Sequence, residues 1–428
     1  MLSLKRSLFS PKPAPLVVAA CLALVAMGAA SSALAADEGS ALENMLVRDS
    51  KVDLQLRTYF FDKLNPAPKN NNQAWAIGGW LGYESGWLGG IFSFGLTAYT
   101  SQPLWAPADA PGSNLLTATQ DGYSVLGQSY LAFKVLDQTL TGGRFLVNQP
   151  EVNLQDNRMT PNTFEGGALT GKLAGVDYFA GYLSAEKTRN ATTFVSMAEV
   201  AGAPSEVDSG MWLLGLKGEP AKDLVLRFST YQVPDVLNST YADAAWTLAL
   251  SGGSKLRLGA QTIYQSSNGI DSIGTFSVGY GGVKADLTSG GFTGTLGYNQ
   301  TGRNSSLRTP YSSWAGYTSM LIKDFYDAGQ KAVLVGASYD FKGLDLPGLT
   351  LGGQIATGWD AINPSSGAAL ANSTEYDLDL NYRFNDKSWP KWVQPLWIRL
   401  RAGVLVPASG GAKTENYRII LNYPFELK

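Results

Sequence analysis

The stretch LWIRLRAG, residues 396–403, alternates aliphatic and basic side chains near the end of the chain. Leu396, Ile398 and Leu400 fall on one parity, and Arg399 and Arg401 fall on the other. Successive side chains of an extended strand point to opposite faces, so the stretch predicts a strand with one oily and one basic face. Such a strand fits either a soluble sheet that covers a core or a membrane barrel with arginines in its lumen.

The same period of two recurs along the chain. Turn-rich clusters such as NPAPKNNN (65–72) and NPSSG (363–367) separate the alternating segments, and aromatic residues gather near the segment ends. This combination is typical of a transmembrane antiparallel β-barrel with interfacial aromatic girdles, although a soluble secreted β-protein also alternates. The apolar parity is carried by Val52, Leu54 and Leu56; by Leu224, Leu226 and Phe228; by Leu256, Leu258 and Ala260; and by Tyr376, Leu378, Leu380 and Tyr382.

The cost of placing a charge in lipid decides which face of such a barrel strand faces lipid and which faces the lumen. An arginine that faces lipid at the midplane costs roughly 2–4 kcal/mol. Arg399 and Arg401 share a face, so we predict that this face lines a water-filled lumen and that Leu400 faces lipid. The last residues repeat the pattern, with aromatic or aliphatic side chains at Tyr417, Ile419, Leu421, Tyr423 and Phe425.

The amino terminus has the layout of a cleavable secretory signal. Three basic residues precede an uncharged run from Leu16 to Ala30, and Ala33-Leu34-Ala35 fits a small-x-small cleavage site. The run is shorter than the roughly 18 residues that a spanning helix requires. We therefore predict a signal peptide at 1–35 and one outer-membrane barrel domain at 36–428.

Composition excludes several classes of function. The chain has no histidine, so neither a catalytic triad based on imidazole nor a zinc site of His and Cys can be built. Cys21, the only cysteine, lies in the predicted signal. Removing three bases from 33 Lys and Arg leaves 30 against 35 Asp and Glu, a net charge of −5 without the basic balance suited to nucleic acid. We expect no enzyme, no cofactor, no metal and no nucleic-acid partner.

Several segments resemble the OprD family of substrate-specific outer-membrane porins. They are DLQLRTYFFD (53–62), GGRFLVNQPEVNLQDNRMTPNTFEGGALTG (142–171), EKTRN (186–190), GYTSMLIKDFYDAGQKA (316–332) and the ending from LWIRLRAG onward. The resemblance implies about 18 strands, a lumen narrowed by inward-folded loops with 148–165 as the main one, and a monomer or loose homotrimer. It also implies the outer membrane of a Gram-negative bacterium, with small solutes and lipid as partners.

The resemblance further implies a ladder of basic side chains that guides carboxylate groups. Arg399, Arg401, Arg158 and Arg57 match family positions, whereas alternation alone adds Arg383 and Arg418. Asp377 and Asp379, on the polar parity of one strand, are expected to oppose them as acidic lumen residues.

One strand departs from the family pattern. Gln354 and Thr357 stand where the family usually carries two arginines. Two positions of the ladder are then altered, which weakens the expectation of strict carboxylate selectivity.

Together these observations predict a passive, substrate-selective outer-membrane channel for small carboxylate-bearing solutes such as aromatic or aliphatic acids or amino acids. Planar, permanently charged guanidinium groups suit carboxylates, and a row of weak sites lets the solute leave. Two alternatives stay open: a general or neutral-solute, sugar-like porin, and a structural outer-membrane barrel with a blocked lumen.

Overall fold

The computed structural model describes residues 41–312 and 316–426. The predicted signal peptide, residues 1–35, lies outside this range. The described chain begins with a short helix, α1 (Ala41–Glu43), that continues as a π-helical turn (Asn44–Arg48). Within the described residues, no helix has the length and apolar character needed to cross a membrane.

Strands make up most of the fold, as expected from side chains that alternate between apolar and polar along the sequence. A second short helix, α2 (Met197–Val200), and two 3₁₀ turns (Ser251–Gly253 and Phe341–Leu344) interrupt them. The strands are β1 (Lys51–Leu64), β2 (Asn72–Glu84), β3 (Phe92–Trp105), β4 (Tyr123–Val135), β5 (Gln138–Phe145), β6 (Thr163–Leu173), β7 (Val176–Lys187), β8 (Val195–Ser196), β9 (Met211–Ala221), β10 (Leu224–Val233), β11 (Leu237–Ala249), β12 (Lys255–Ser267), β13 (Ser277–Ser289), β14 (Phe292–Thr301), β15 (Lys331–Asp340), β16 (Leu349–Trp359), β17 (Ser373–Arg383), β18 (Trp397–Pro407) and β19 (Thr414–Glu426).

The sheet closes on itself. Successive strands pair antiparallel, β7 pairs directly with β9, and β1 pairs with β19 from Asp53 opposite Glu426 to Leu64 opposite Glu415. The two-residue strand β8 only extends the loop-side end of β7, so the other eighteen of the nineteen strands form the wall. Closure removes exposed edges, which a barrel in lipid requires. The predicted all-β antiparallel barrel of about 18 strands is confirmed.

The two ends of the barrel differ. At the end where β1 begins and β19 ends, most connections are short, such as 136–137, 174–175, 222–223 and 290–291. We call this the turn end. The opposite, loop end carries the long connections 106–122, 146–162, 188–210 and 302–330. Outer-membrane barrels place short turns in the periplasm and long loops outside.

The wall has two chemical faces, as the alternation predicts. Leu56, Leu378, Leu400 and Ile419 are exposed on the outer face, where lipid would cover them. Their neighbours of the other parity, including Arg57 and Arg401, turn inward. In LWIRLRAG, the aliphatic side chains therefore lie on the outer face and the arginine side chains lie in the lumen. Leu396 precedes the strand, which begins at Trp397.

Candidate functional site

The connection 146–162 between β5 and β6 enters the lumen, and we call it the strap. Arg57 in β1 donates from Nη1 to Asp156 Oδ1 of the strap at 2.6 Å and from Nη2 to Asp156 Oδ2 at 3.3 Å. The same guanidinium donates to the carbonyl of Arg158 and, from Nε, to Asn422 Oδ1 at 2.6 Å. One end of the strap is thus fixed to the β1–β19 wall.

The other end of the strap is attached to a different part of the barrel wall, strands β11 and β12. Glu151 Oε1 accepts a hydrogen bond from Ser239 Oγ in β11 at 2.7 Å and one from Gln265 Nε2 in β12 at 3.4 Å. Burial raises the pKa of Glu151 to about 7, although both hydrogen bonds act in the opposite direction. Because β11 is the tenth wall strand, nine steps from β1, the strap crosses from one side of the barrel to the other. The inward-folded loop predicted over 148–165 is this segment, although Thr163–Glu165 already belong to β6.

A second long loop, 302–330, packs against the strap and the wall. Its Tyr311 carbonyl accepts a hydrogen bond from the backbone N–H of Asn153 in the strap at 3.1 Å. On the wall side, Glu375 in β17 accepts the backbone N–H groups of residues 322 and 323 at 2.6 and 2.9 Å. Asp377 Oδ2 accepts the N–H of Leu321 at 2.9 Å. Two lumen carboxylates therefore hold this loop inside the barrel.

The predicted pair Arg399 and Arg401 shares one carboxylate. Arg399 Nε lies 2.9 and 3.0 Å from the two oxygens of Asp379, and Arg401 Nε lies 2.6 Å from Asp379 Oδ2. The side chains of Arg399, Arg401 and Asp379 are 30%, 24% and 20% exposed. They line a cavity of about 280 Å³ together with Gln354. This group carries one net positive charge and keeps part of both guanidinium surfaces open.

Three other predicted arginines are buried and hold loops. Arg57, Arg158 and Arg418 are each 8% exposed. Arg158 Nε donates to the carbonyl of Ser113 at 2.8 Å, and burial lowers the pKa of Arg158 to about 10. Arg418 Nη2 donates to the carbonyl of Leu321 at 2.9 Å. Arg57 and Arg418 thus join loops to the β1–β19 wall, and Arg158 joins the strap to loop 106–122.

The remaining predicted residues fall in different places. Arg383 lies at the turn end, with its guanidinium 4.4 Å from the ring centre of Trp397. Gln354 is on the lumen face, but Thr357 has the parity of the exposed Ile355 and lies 3.0 Å from Thr374 on the outer face. The structure therefore corrects the assignment of Thr357 to the lumen. The two residues are three positions apart, and an odd spacing in a strand puts them on opposite faces.

Sequence reasoning missed several residues that shape this lumen. Glu375 has the parity of Asp377 and Asp379, so the rule that selected those acids would also have found it. Glu151 and Arg189 lie in loops, where no period exists to reveal them. Arg189 Nη1 donates to Asn157 Oδ1 of the strap.

Comparison with known proteins gives a consistent result. The family model described as outer membrane porin, OprD family, matches residues 45–427. Porin D of Pseudomonas aeruginosa is 24% identical over 412 residues, which is 89% of this chain and 92% of that protein. The structure of Pseudomonas aeruginosa OpdK with vanillate has a TM-score of 0.78 at 22% identity and covers 89% of this chain and 100% of that chain. A BenF-like porin from Pseudomonas fluorescens Pf-5 has a TM-score of 0.79 at 19% identity, with 89% and 100% covered.

Proposed function

The chain belongs to the OprD family of outer-membrane porins, and from this premise we propose that it selects small carboxylate-bearing solutes. Membership makes it a channel in the outer membrane of a Gram-negative bacterium and not an enzyme. The proposal adds the class of solute, namely aromatic or aliphatic acids or amino acids. It also adds the residues that select them, Arg399 and Arg401.

The observation that carries the proposal is the geometry of Arg399 and Arg401 around Asp379. A guanidinium group offers five N–H donors in a fixed fork. Asp379 has only two oxygens, so the two arginines together retain donors that a passing carboxylate can accept. Arginine stays charged at any working pH, and its planar fork matches a carboxylate in two parallel hydrogen bonds.

Asp379 also explains how such a site would release its solute. A channel site must attract the solute and still bind it weakly enough to let it leave. Two bare arginines would hold a carboxylate firmly, whereas one shared carboxylate lowers their combined charge to +1. The proposed site is therefore expected to bind a passing carboxylate weakly enough to release it.

One observation favours a second candidate, a channel for neutral polar solutes. The wall of β14–β16 beside the arginine pair carries short or uncharged lumen side chains, including Thr295, Gly336, Gly352 and Gln354. Hydroxyl-rich solutes such as sugars would pass such a wall without a charge requirement. The two candidates differ in whether the rate of passage depends on Arg399 and Arg401.

Liposome swelling with the purified protein tests the proposal. The solutes are benzoate, hexanoate, lysine and a neutral pentose, each at the same osmolarity. We expect the two acids to enter fastest, and we expect the variant with Arg399→Ala and Arg401→Ala to lose that preference. Loss of one charge-assisted hydrogen bond costs about 1.5–3 kcal/mol, which weakens carboxylate binding by at least about tenfold.

The control removes the same number of positive charges elsewhere. Arg48→Ala and Lys413→Ala change side chains that are 54% and 60% exposed, outside the barrel strands. This control should keep the preference for acids. Equal entry of acids and pentose into wild-type liposomes would instead favour the neutral-solute channel.

A further inference from the structure

Charged side chains also project into the lumen from β10–β13, on the wall opposite β19. We call Arg227, Asp243, Arg257, Lys284 and Asp286 the opposite-wall cluster. All five have the inward parity of their strands, because their neighbours Leu226, Leu258 and Leu287 are exposed on the outer face. In wall order β10 is the ninth strand and β19 the eighteenth, so the cluster lies across the lumen from the arginines described above.

The cluster has more cations than anions. Arg227 donates from Nε and Nη2 to the two oxygens of Asp243 at 2.8 and 3.0 Å, and the Asp243 side chain is only 1% exposed. Asp286 is shared between Lys284 Nζ at 3.2 Å and Arg257 Nη1 at 3.8 Å. Three cations thus face two carboxylates. The side chains of Arg227 and Arg257 remain 43% and 47% exposed, so part of each guanidinium is open to the lumen.

The strap and loop 302–330 cover this side of the lumen and contact the wall where it carries glycine. A Cβ on Gly215 in β9 would overlap Gln149 Oε1 of the strap. A Cβ on Gly259 in β12 would lie 2.6 Å from the Tyr317 hydroxyl of loop 302–330. The absence of side chains at these positions lets both loops pack directly against the wall.

The two loops and the wall border a polar cavity of about 650 Å³. Arg227, Arg257 and Gln261 line it from the wall, and Gln149 and Tyr317 line it from the loops. Burial and the carboxylate of Asp243 raise the pKa of Tyr317, while Arg257 and Arg227 act in the opposite direction. The hydroxyl therefore lies near charged groups of the opposite-wall cluster.

We propose that this cavity is a second solute site that binds a carboxylate whose body carries hydroxyl groups. Arg227 and Arg257 take the carboxylate, and Gln149, Gln261 and the Tyr317 hydroxyl take the hydroxyl groups. A carboxylate with an alkyl body would cover these amides and the hydroxyl without offering them hydrogen-bond partners, which is costly. The site rests on the proposed function only in requiring that solutes enter the lumen.

Two six-carbon acids make a matched pair of probes. Gluconate carries hydroxyl groups along its chain, and hexanoate carries none. Block of single-channel current should show two kinetic components with gluconate, one at Arg399–Arg401 and one at the opposite-wall cavity. Hexanoate should show one component, at Arg399–Arg401.

Arg257→Gln is the informative variant, because it is expected to fold. Asp286 keeps Lys284 and the hydrogen bond from Thr295 Oγ1 at 2.7 Å, whereas removal of Arg227 would leave the buried Asp243 unpaired. We expect Arg257→Gln to weaken the second gluconate component by about tenfold. Tyr317→Phe should weaken the same component by about threefold. Hexanoate block should stay unchanged in both variants, and Arg48→Gln is the control for charge.

The two proposals fail in different ways. Gluconate block, in one component or two, that Arg257→Gln leaves unchanged overturns the second site. Equal weakening of gluconate and hexanoate by Arg257→Gln also overturns it, because that result indicates a general field effect. If the variant with Arg399→Ala and Arg401→Ala leaves hexanoate block unchanged while Arg257→Gln still acts, the proposed function fails and the second site stands.

Discussion

Weakening the attachment of one end of the strap tests whether this segment sets the width of the lumen. Asp156→Ala removes the carboxylate that accepts from Arg57 at 2.6 and 3.3 Å. Arg57 keeps Asn422 and the carbonyl of Arg158, so the cost is below the 3–5 kcal/mol expected for an unpaired buried charge. One charge-assisted interaction is worth about 1.5–3 kcal/mol, and about 2 kcal/mol shifts the population toward a released strap about thirtyfold.

Single-channel recording in a planar bilayer measures this shift. We expect Asp156→Ala to raise the mean conductance and the noise of the open state, because the end of the strap that faces β1 leaves the lumen part of the time. Glu206→Ala removes an exposed carboxylate from loop 188–210 and should leave both quantities unchanged. Unchanged conductance and noise in a folded Asp156→Ala barrel would refute the assignment of the strap as the constriction.

Three further predictions concern the charges of the lumen. Burial raises the pKa of Glu151 from 4.5 to about 7. The free energy that keeps this side chain buried against β11 and β12 is therefore complete below about pH 4.5 and falls by about 3 kcal/mol as pH rises to about 7. Open-state noise should rise over this window in the wild type and stay flat in Glu151→Gln. Asp379→Asn leaves Arg399 and Arg401 with their full charge, and the reversal potential in a salt gradient should shift toward anion selectivity. Gln354→Arg should fold and shift selectivity the same way, whereas Thr357→Arg places its charge on the outer face near the loop end of β16, at a cost of about 0–1 kcal/mol, and should leave the reversal potential unchanged.

Period-two alternation accounts for most of what could be predicted from sequence. A lipid-facing strand must be apolar on one face, so Leu400 and Leu378 reveal the outer face and their neighbours reveal the lumen. The same rule places Arg401 and Asp379 inside. It also separates Gln354 from Thr357, a consequence that matching to a family pattern alone overlooked.

Contacts between a strand and a distant loop could not be predicted in this way. Arg57 has the inward parity, but its partner Asp156 lies 99 residues further along the chain in a segment without periodicity. Parity therefore identified which arginines face inward, but not which are used to hold loops. Arg57 and Arg418 are of this second kind, and Arg399 and Arg401 keep surface open to a solute.

The most direct test of the central claim is the dwell time of benzoate in single channels of the wild type and of the variant with Arg399→Ala and Arg401→Ala. We expect resolved blocking events in the wild type and dwell times at least about tenfold shorter in the variant. Equal dwell times in the two channels would contradict the claim that this arginine pair selects carboxylates.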